Sequence, residues 1–180
     1  MKEQLDSLEA QLGSGIRDYQ RPPLHLWQPP LSGELPIRIS EQGIWYHDGG
    51  KIERQKLINL FASILRREED GSFYLVTPVE KWRIQVEGHP LRIVDFDEQN
   101  VAGEIVLEAT LNTGLRFTVN QIHPLFLDPE VGNIAAIRLP HGLTALCTRA
   151  VWYRLVERAI YRGDKAILKS GSYEFSLSGD

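Results

Sequence analysis

The sequence predicts an α+β protein with two β-rich lobes, each built from mainly antiparallel strands and one packed helix, plus an N-terminal helix. Two observations support this prediction. Short apolar runs separated by turn residues recur along most of the chain, whereas only a few longer segments place apolar residues at helical spacing. The order of these elements is also partly repeated, which indicates an internal structural repeat.

Residues 1–32 are predicted to form an N-terminal helix and a proline-rich strap. An apolar residue recurs every three or four positions in the helix, at Leu5, Leu8, Leu12 and Ile16. We expect this face to cover its own domain or, alternatively, to dock on a partner. Residues 21–30 contain four prolines, which favour extended backbone, and we expect Trp27 to pin this strap to the surface.

The first β-rich lobe is assigned to residues 33–88. Its pattern predicts the order strand, strand, helix, strand, with the helix at residues 52–67. The second lobe is assigned to residues 89–180, in which strand patterns dominate until a predicted helix at residues 150–162. A final strand is predicted near residues 173–177, and Gly163 is expected to end the helix before it.

A repeated spacing of glycines supports the internal repeat. Gly43 leads through a predicted helix to Gly71, 28 residues later, and Gly142 leads through another to Gly171, 29 residues later. Such a period is too long, and the copies too few, for a solenoid. The repeated glycine spacing therefore predicts two related lobes.

Both predicted helices carry an arginine close to their start, Arg54 or Arg149. A helix N-terminus carries partial positive charge and attracts anions, so an arginine there is mildly unfavourable by itself. An anion bound nearby would explain both residues. Alternatively, each arginine lies along the surface or pairs with an acid such as Glu80.

Further candidates come from strand ends, where a scaffold commonly presents functional groups. The turn that contains Pro78 places Glu80 and Lys81 at the end of a strand. With the two arginines and four further aromatic and polar residues, they form a predicted ligand-binding set, namely Trp45, Arg54, Thr77, Glu80, Lys81, His123, Arg149 and Tyr153.

Composition excludes several classes of protein. A net charge of −4 and the absence of a basic stripe argue against nucleic-acid binding. The five histidines lack metal-ligand spacing, and no phosphate-binding glycine loop occurs, so we expect neither a metal nor a cofactor. One cysteine and no signal or membrane-spanning segment predict a cytoplasmic protein.

Several strings of the sequence are similar to those of a known family. They are PPLHLWQP at 22–29, GIWY at 43–46, LFASILRR at 60–67, LVTPVEK at 75–81, HPL at 123–125 and GLTAL at 142–146. Together they resemble a bacterial family known only as domain-of-unknown-function family 1285. The resemblance implies an α+β fold with repeated motifs, no established activity, and a role in signalling that has been considered for such proteins.

Three functions remain open on the sequence. The preferred one is a non-catalytic binding or regulatory module that recognises a small anion or a peptide between the lobes. The second is a hydrolase or transferase that uses Glu80 and His123 as acid and base. The third is a protein-binding scaffold that acts through Trp27 and the leucine face of the first helix. The sequence does not predict the oligomeric state.

Overall fold

A computed structural model describes Ala10 and residues 22–178 of the chain. The predicted N-terminal helix lies outside the described residues, apart from Ala10. The chain divides into two compact units, Met1–Gly88 and His89–Asp180, which are called the first and second unit below.

The first unit contains one six-stranded sheet and one helix. In chain order its elements are β1 (Leu31–Ile39), β2 (Trp45–His47), β3 (Gly50–Lys51), α1 (Gln55–Ser63), β4 (Leu65–Arg67), β5 (Phe73–Val76) and β6 (Lys81–Val86). The strand order is β3-β2-β1-β6-β5-β4. β1 and β6 run parallel, and the other neighbours are antiparallel.

Helix α1 is shorter than the helix predicted over residues 52–67. It buries Leu57 and Phe61, and the Phe61 ring stacks on Trp45 with ring centroids 6.2 Å apart. The chain leaves the helix at Ile64, and Leu65 begins a strand that pairs with β5. Leu65 is apolar and fully buried, and its apolar spacing alone could not distinguish a last helical turn from a strand.

The proline-rich strap is fixed to the first unit by its backbone. Leu24 is buried in a short 3-10 turn, Leu24–Leu26, while Trp27 is only half-buried. The buried guanidinium of Arg66 donates from Nη1 to the carbonyl oxygens of Leu24 and Trp27. Arg66 therefore holds the backbone of the strap at two carbonyl groups.

The second unit contains a six-stranded sheet, a helix and a three-stranded sheet. Its elements are β7 (Leu91–Val101), β8 (Glu104–Leu111), β9 (Arg116–Thr118), β10 (Leu125–Asp128), β11 (Ile134–Arg138), β12 (Thr144–Cys147), α2 (Arg149–Glu157), β13 (Ile160–Arg162), β14 (Lys165–Ser170) and β15 (Tyr173–Ser176). The strand orders are β10-β11-β12-β7-β8-β9 and β13-β14-β15.

The predicted second helix is also too long at its C-terminal end. Helix α2 ends at Glu157, and Ile160–Arg162 forms strand β13. Gly163, which was predicted to end the helix, lies instead in the tight turn between β13 and β14, with φ +61°. Glycine adopts this backbone conformation without the steric cost that a side chain would add.

The two six-stranded sheets confirm the predicted fold class and its internal repeat. In each sheet three successive strands run from the centre to one edge, and the next three return from the other edge to the centre. The two central strands are parallel in both cases. The helix, however, follows the third strand in the first unit and the sixth in the second. The repeated glycine spacing therefore does not mark equivalent segments, because the segments it relates occupy different places in the two sheets.

Candidate functional site

The central parallel pair of the first unit is interrupted by an irregularity. Glu34 lies opposite Arg83 and Arg38 lies opposite Gln85, so β1 uses four residues where β6 uses two. Pro36 falls within this stretch and has no N–H to donate to a neighbouring strand. A cavity of about 500 Å³ borders the interruption and is lined by Glu34, Leu35, Gly71, Ser72, Phe73, Arg83, Ile84, Gln85 and Val86.

Arg83 is the cation of this cavity. Its Nη2 donates to the Ser72 hydroxyl at 2.9 Å, while its Nη1 lies 3.8 Å from a Glu34 carboxylate oxygen. The Arg83 side chain is 50% exposed, which leaves its guanidinium accessible from solvent. Hydrogen bonds from Tyr74 and Ser72 lower the pKa of nearby Asp70, and the Arg83 charge adds to this effect. The cavity therefore combines a loosely paired cation with a hydroxyl.

A second charged cluster in the first unit is more tightly paired. Glu68 accepts hydrogen bonds from Arg66 and from Lys81, whose Nζ lies 3.2 and 3.0 Å from the two carboxylate oxygens. Burial raises the pKa of Glu68, but the hydrogen bonds and charges of Lys81 and Arg66 outweigh it and lower the pKa overall. Lys81 also lies over the Tyr74 ring. This cluster holds the carboxylate ionised and supports the strap.

The second unit contains a cavity of about 650 Å³ between strands β10 and β15. It is lined by Leu125, Phe126, Leu127, Pro129, Asn133, Glu174, Phe175 and Ser176. β10 is an edge strand of the six-stranded sheet, and β15 is an edge strand of the three-stranded sheet. The Leu125 N–H donates to the Tyr173 hydroxyl at 3.1 Å and joins the two strands.

His89, the first residue of the second unit, is bound through both ring nitrogens. Nε2 lies 2.7 Å from an Asp128 carboxylate oxygen and Nδ1 lies 2.7 Å from the Thr144 hydroxyl. A hydroxyl, an imidazole and a carboxylate can act as the nucleophile, base and orienting acid of a catalytic triad. Asp128 also accepts the Glu130 N–H, however, and none of the three lines either cavity. A buried structural network describes the set best.

Five of the residues predicted for the site lie in the first unit. Trp45 is 1% exposed, and its Nε1 has no hydrogen-bond partner within the described part of the chain. Arg54 is exposed and occupies the N-cap position of α1 without a side-chain capping hydrogen bond, which agrees with the predicted start of the helix. The Thr77 hydroxyl accepts the Glu80 N–H at 3.0 Å, so these two residues close one turn. Lys81 is bound to Glu68, as described above.

The other three predicted residues lie in the second unit. The His123 ring packs edge-on against Phe117 and its Nδ1 lies 3.3 Å from the Arg138 carbonyl oxygen. Arg149 is the first residue of α2 and is exposed, and Tyr153 on the same helix is 63% exposed. None of the eight predicted residues lines either cavity. Their role in ligand binding stays a prediction.

Sequence reasoning missed Arg83 and the groove between β10 and β15. Only the pairing of β1 with β6 places Arg83 at a cavity. One signal was available, because Pro36 within an apolar strand pattern indicates an interrupted ladder. No comparable signal marked β10 and β15 as neighbours.

No group of three or more histidine, cysteine or acidic side chains among the described residues is placed to hold a metal ion. Within residues 22–178 and at Ala10, no helix has the length and apolar character needed to cross a membrane.

The folds of the two units define a class of α+β protein in which a six-stranded mixed sheet occurs twice, each time with a helix. Two family models cover almost the whole described chain. "Domain of unknown function (DUF1285), N-terminal domain" matches residues 22–89, and "Protein of unknown function (DUF1285), C-terminal domain" matches residues 90–177. The chain therefore belongs to the DUF1285 family, which confirms the resemblance seen in the sequence.

Solved structures of the same family are similar to this chain. A DUF1285 family protein from Silicibacter pomeroyi is 34% identical, with 93% of each chain covered and a TM-score of 0.81. Another, from Shewanella baltica, is 30% identical over 68% of this chain and 91% of the other, with a TM-score of 0.56. No curated protein matches the chain.

Proposed function

We propose that this protein is a non-catalytic ligand-binding or regulatory module with a role in signalling. Its ligand carries a carboxylate or phosphate group, either as a small molecule or on an acidic peptide, and binds beside Arg83. The observation that carries the proposal is the loosely paired Arg83 guanidinium at the 500 Å³ cavity beside the interrupted β1–β6 ladder.

The weak pairing of Arg83 with Glu34 allows a ligand anion to replace Glu34. The distance of 3.8 Å from Arg83 to Glu34 is long for a charge-assisted hydrogen bond, and the Glu34 side chain is 75% exposed. An exposed pair of this kind contributes about 0–1 kcal/mol, so a ligand anion displaces Glu34 at little cost. By contrast, Lys81 is held by both oxygens of Glu68.

The chemistry of Arg83 supports binding rather than proton transfer. A guanidinium stays protonated at physiological pH, so Arg83 can bind an anion but cannot act as an acid or base there. The Ser72 hydroxyl and the Gln85 amide add hydrogen-bonding groups at the same cavity. A planar guanidinium beside such groups suits the two oxygens of a carboxylate or phosphate.

Thermal unfolding of the full chain tests the proposal. The probes are inorganic phosphate, succinate, nucleoside monophosphates and a short peptide of aspartate and glutamate. At about 100 times its dissociation constant, a probe that binds the native state stabilises it by about 2.7 kcal/mol and raises the Tm.

Two variants locate the effect. Arg83→Gln removes the cavity cation, whereas Arg38→Gln removes an exposed cation that pairs with Glu87 and does not line the cavity. We expect Arg83→Gln to abolish the increase in Tm and Arg38→Gln to keep it. The proposal fails if no probe raises the Tm, or if wild type and Arg83→Gln respond equally.

A further inference from the structure

The cavity of the second unit has walls formed by two strand edges. The Arg138 N–H donates to the Pro124 carbonyl, which fixes the alternation of hydrogen-bonded and free positions along β10. By this alternation the backbone N–H and C=O of Leu125 and Leu127 point away from β11. They lie on the open edge of the sheet.

The edge of β15 has the same character. The Leu177 N–H donates to the Ala166 carbonyl, so the pairing with β14 uses positions 173, 175 and 177. The backbone groups of Glu174 and Ser176 therefore point outward. Both residues line the cavity together with Leu127.

One hydrogen bond shows that these edge groups are within reach of a partner. The Leu125 N–H is bound by the Tyr173 hydroxyl, which takes the place that a carbonyl of a neighbouring strand would occupy. Further along these two strands, the backbone groups of Leu127 and Ser176 have no backbone partner within residues 22–178. Unpaired edge groups of this kind are a template for another extended chain.

We propose that the groove between β10 and β15 binds a short, uncharged, extended peptide segment of a partner protein, which pairs with the free strand edges. β10 and β15 have four residues each, and a strand of that length spans about 13 Å, so the paired part of the segment has three to five residues. This second site goes beyond the anion site proposed at Arg83.

The groove offers a ligand no unpaired charged side chain among its lining residues, which favours an uncharged segment. Glu174 is the charged residue of the lining, and its carboxylate is already paired with Arg162 at 3.1 Å and Lys169 at 3.4 Å. The apolar side chains of Leu125, Leu127 and Phe175 complete the walls. They match the alternate side chains that an extended peptide presents to one side, while its backbone supplies hydrogen bonds.

The probe is a neutral peptide selected from a random seven-residue displayed library on the immobilised full chain. The selected peptide is then synthesised with a fluorescent label, and its affinity is measured by fluorescence anisotropy. If backbone pairing holds it, N-methylation weakens binding about three- to tenfold per hydrogen bond lost, at alternate positions through the β10 edge and at the intervening positions through the β15 edge. N-methylation outside the three to five paired residues leaves the affinity unchanged.

Two proline variants of the protein give a matched comparison. Leu127→Pro removes an outward N–H from β10, a position that edge strands tolerate. Thr118→Pro does the same on β9, the opposite edge of the same sheet. We expect Leu127→Pro to weaken binding and Thr118→Pro and Arg83→Gln to leave it unchanged, which separates this site from the anion site.

Three outcomes would overturn the proposal. The library could yield no neutral peptide that binds, or N-methylation within the paired residues could leave the affinity unchanged. Alternatively, sedimentation could show a wild-type dimer that Leu127→Pro dissociates, in which case the edges bind a second copy of this chain. If Leu127→Pro fails to fold, the N-methylated peptides still decide between backbone pairing and its absence on the wild-type protein.

Discussion

Arg66 donates a hydrogen bond of 2.8 Å to the backbone carbonyl of Trp27, 39 residues earlier in the chain. The same Nη1 reaches the Leu24 carbonyl at 3.0 Å, and Nη2 is bound to Glu68. A single buried guanidinium thus joins the proline-rich strap to strand β4 and to a carboxylate. Prolines hold the strap extended, and Arg66 fixes where it lies.

Replacement of Arg66 is expected to destabilise the first unit strongly. Arg66→Met leaves two carbonyls of the strap without their donor, and we expect a loss of about 2–4 kcal/mol in the free energy of unfolding. Urea denaturation measures it. The control is Arg67→Met, because Arg67 is exposed and interacts with Gly71 and the Phe73 ring, both close to it in the chain. Equal losses in the two variants would contradict the role of Arg66.

The Glu68 cluster predicts a dependence of stability on pH. The pKa of Glu68 is lower in the folded protein than its ordinary value of 4.5, so Glu68 contributes stability above that pH. This contribution is lost as the pH falls through the folded pKa. We expect Glu68→Gln to be less stable than wild type at pH 7 and to lose less stability on acidification.

The pH test compares the free energy of unfolding at neutral and acid pH for wild type and Glu68→Gln. The control is Glu69→Gln, since Glu69 is exposed and next to Glu68 in the chain. A fall in stability with acid that is as steep in Glu68→Gln as in wild type would show that Lys81 and Arg66 do not stabilise this carboxylate.

Cys147 is expected to be unreactive in the folded protein. Its side chain is 2% exposed, and burial raises the pKa of the thiol to about 12. Because the thiolate is the reactive form, a disulfide reagent at pH 8 should label Cys147 only as fast as the second unit opens. Rapid labelling of native protein, measured by absorbance, would contradict the burial of this residue.

Gly33 is predicted to resist substitution by alanine. It adopts φ +139°, and a Cβ there would lie 3.2 Å from the Trp82 ring. We expect Gly33→Ala to cost about 1–3 kcal/mol, through backbone strain and the contact with the ring. Gly49→Ala is the control, because Gly49 also has positive φ but nothing within 4 Å of the added methyl. Thermal unfolding should rank Gly33→Ala below Gly49→Ala.

The fold class followed from local patterns, because alternation and turn residues depend on near neighbours in the chain. The boundaries at Leu65 and Ile160 did not follow, since strand pairing with β5 and β14 decided them and pairing is a long-range property. The same is true of the repeat. Its strand order depends on the pairing of β1 with β6 and of β7 with β12, which local sequence patterns do not predict.

The candidate sites were harder to predict for a related reason. Arginines at helix starts can be found in a sequence, and Arg54 and Arg149 do lie there. Arg83 becomes notable only through the interrupted ladder beside Pro36, and Leu127 only through its outward position on β10. Both depend on which strands become neighbours.

The most direct test of the proposed function is an amide-correlation NMR titration of the full chain with inorganic phosphate and with succinate. We expect saturable shifts at the backbone amides of Ser72 and Gln85 and at the Arg83 side-chain N–H, all of which line one cavity. Saturable shifts centred on other residues, or none at these three for either anion, would contradict the proposed function.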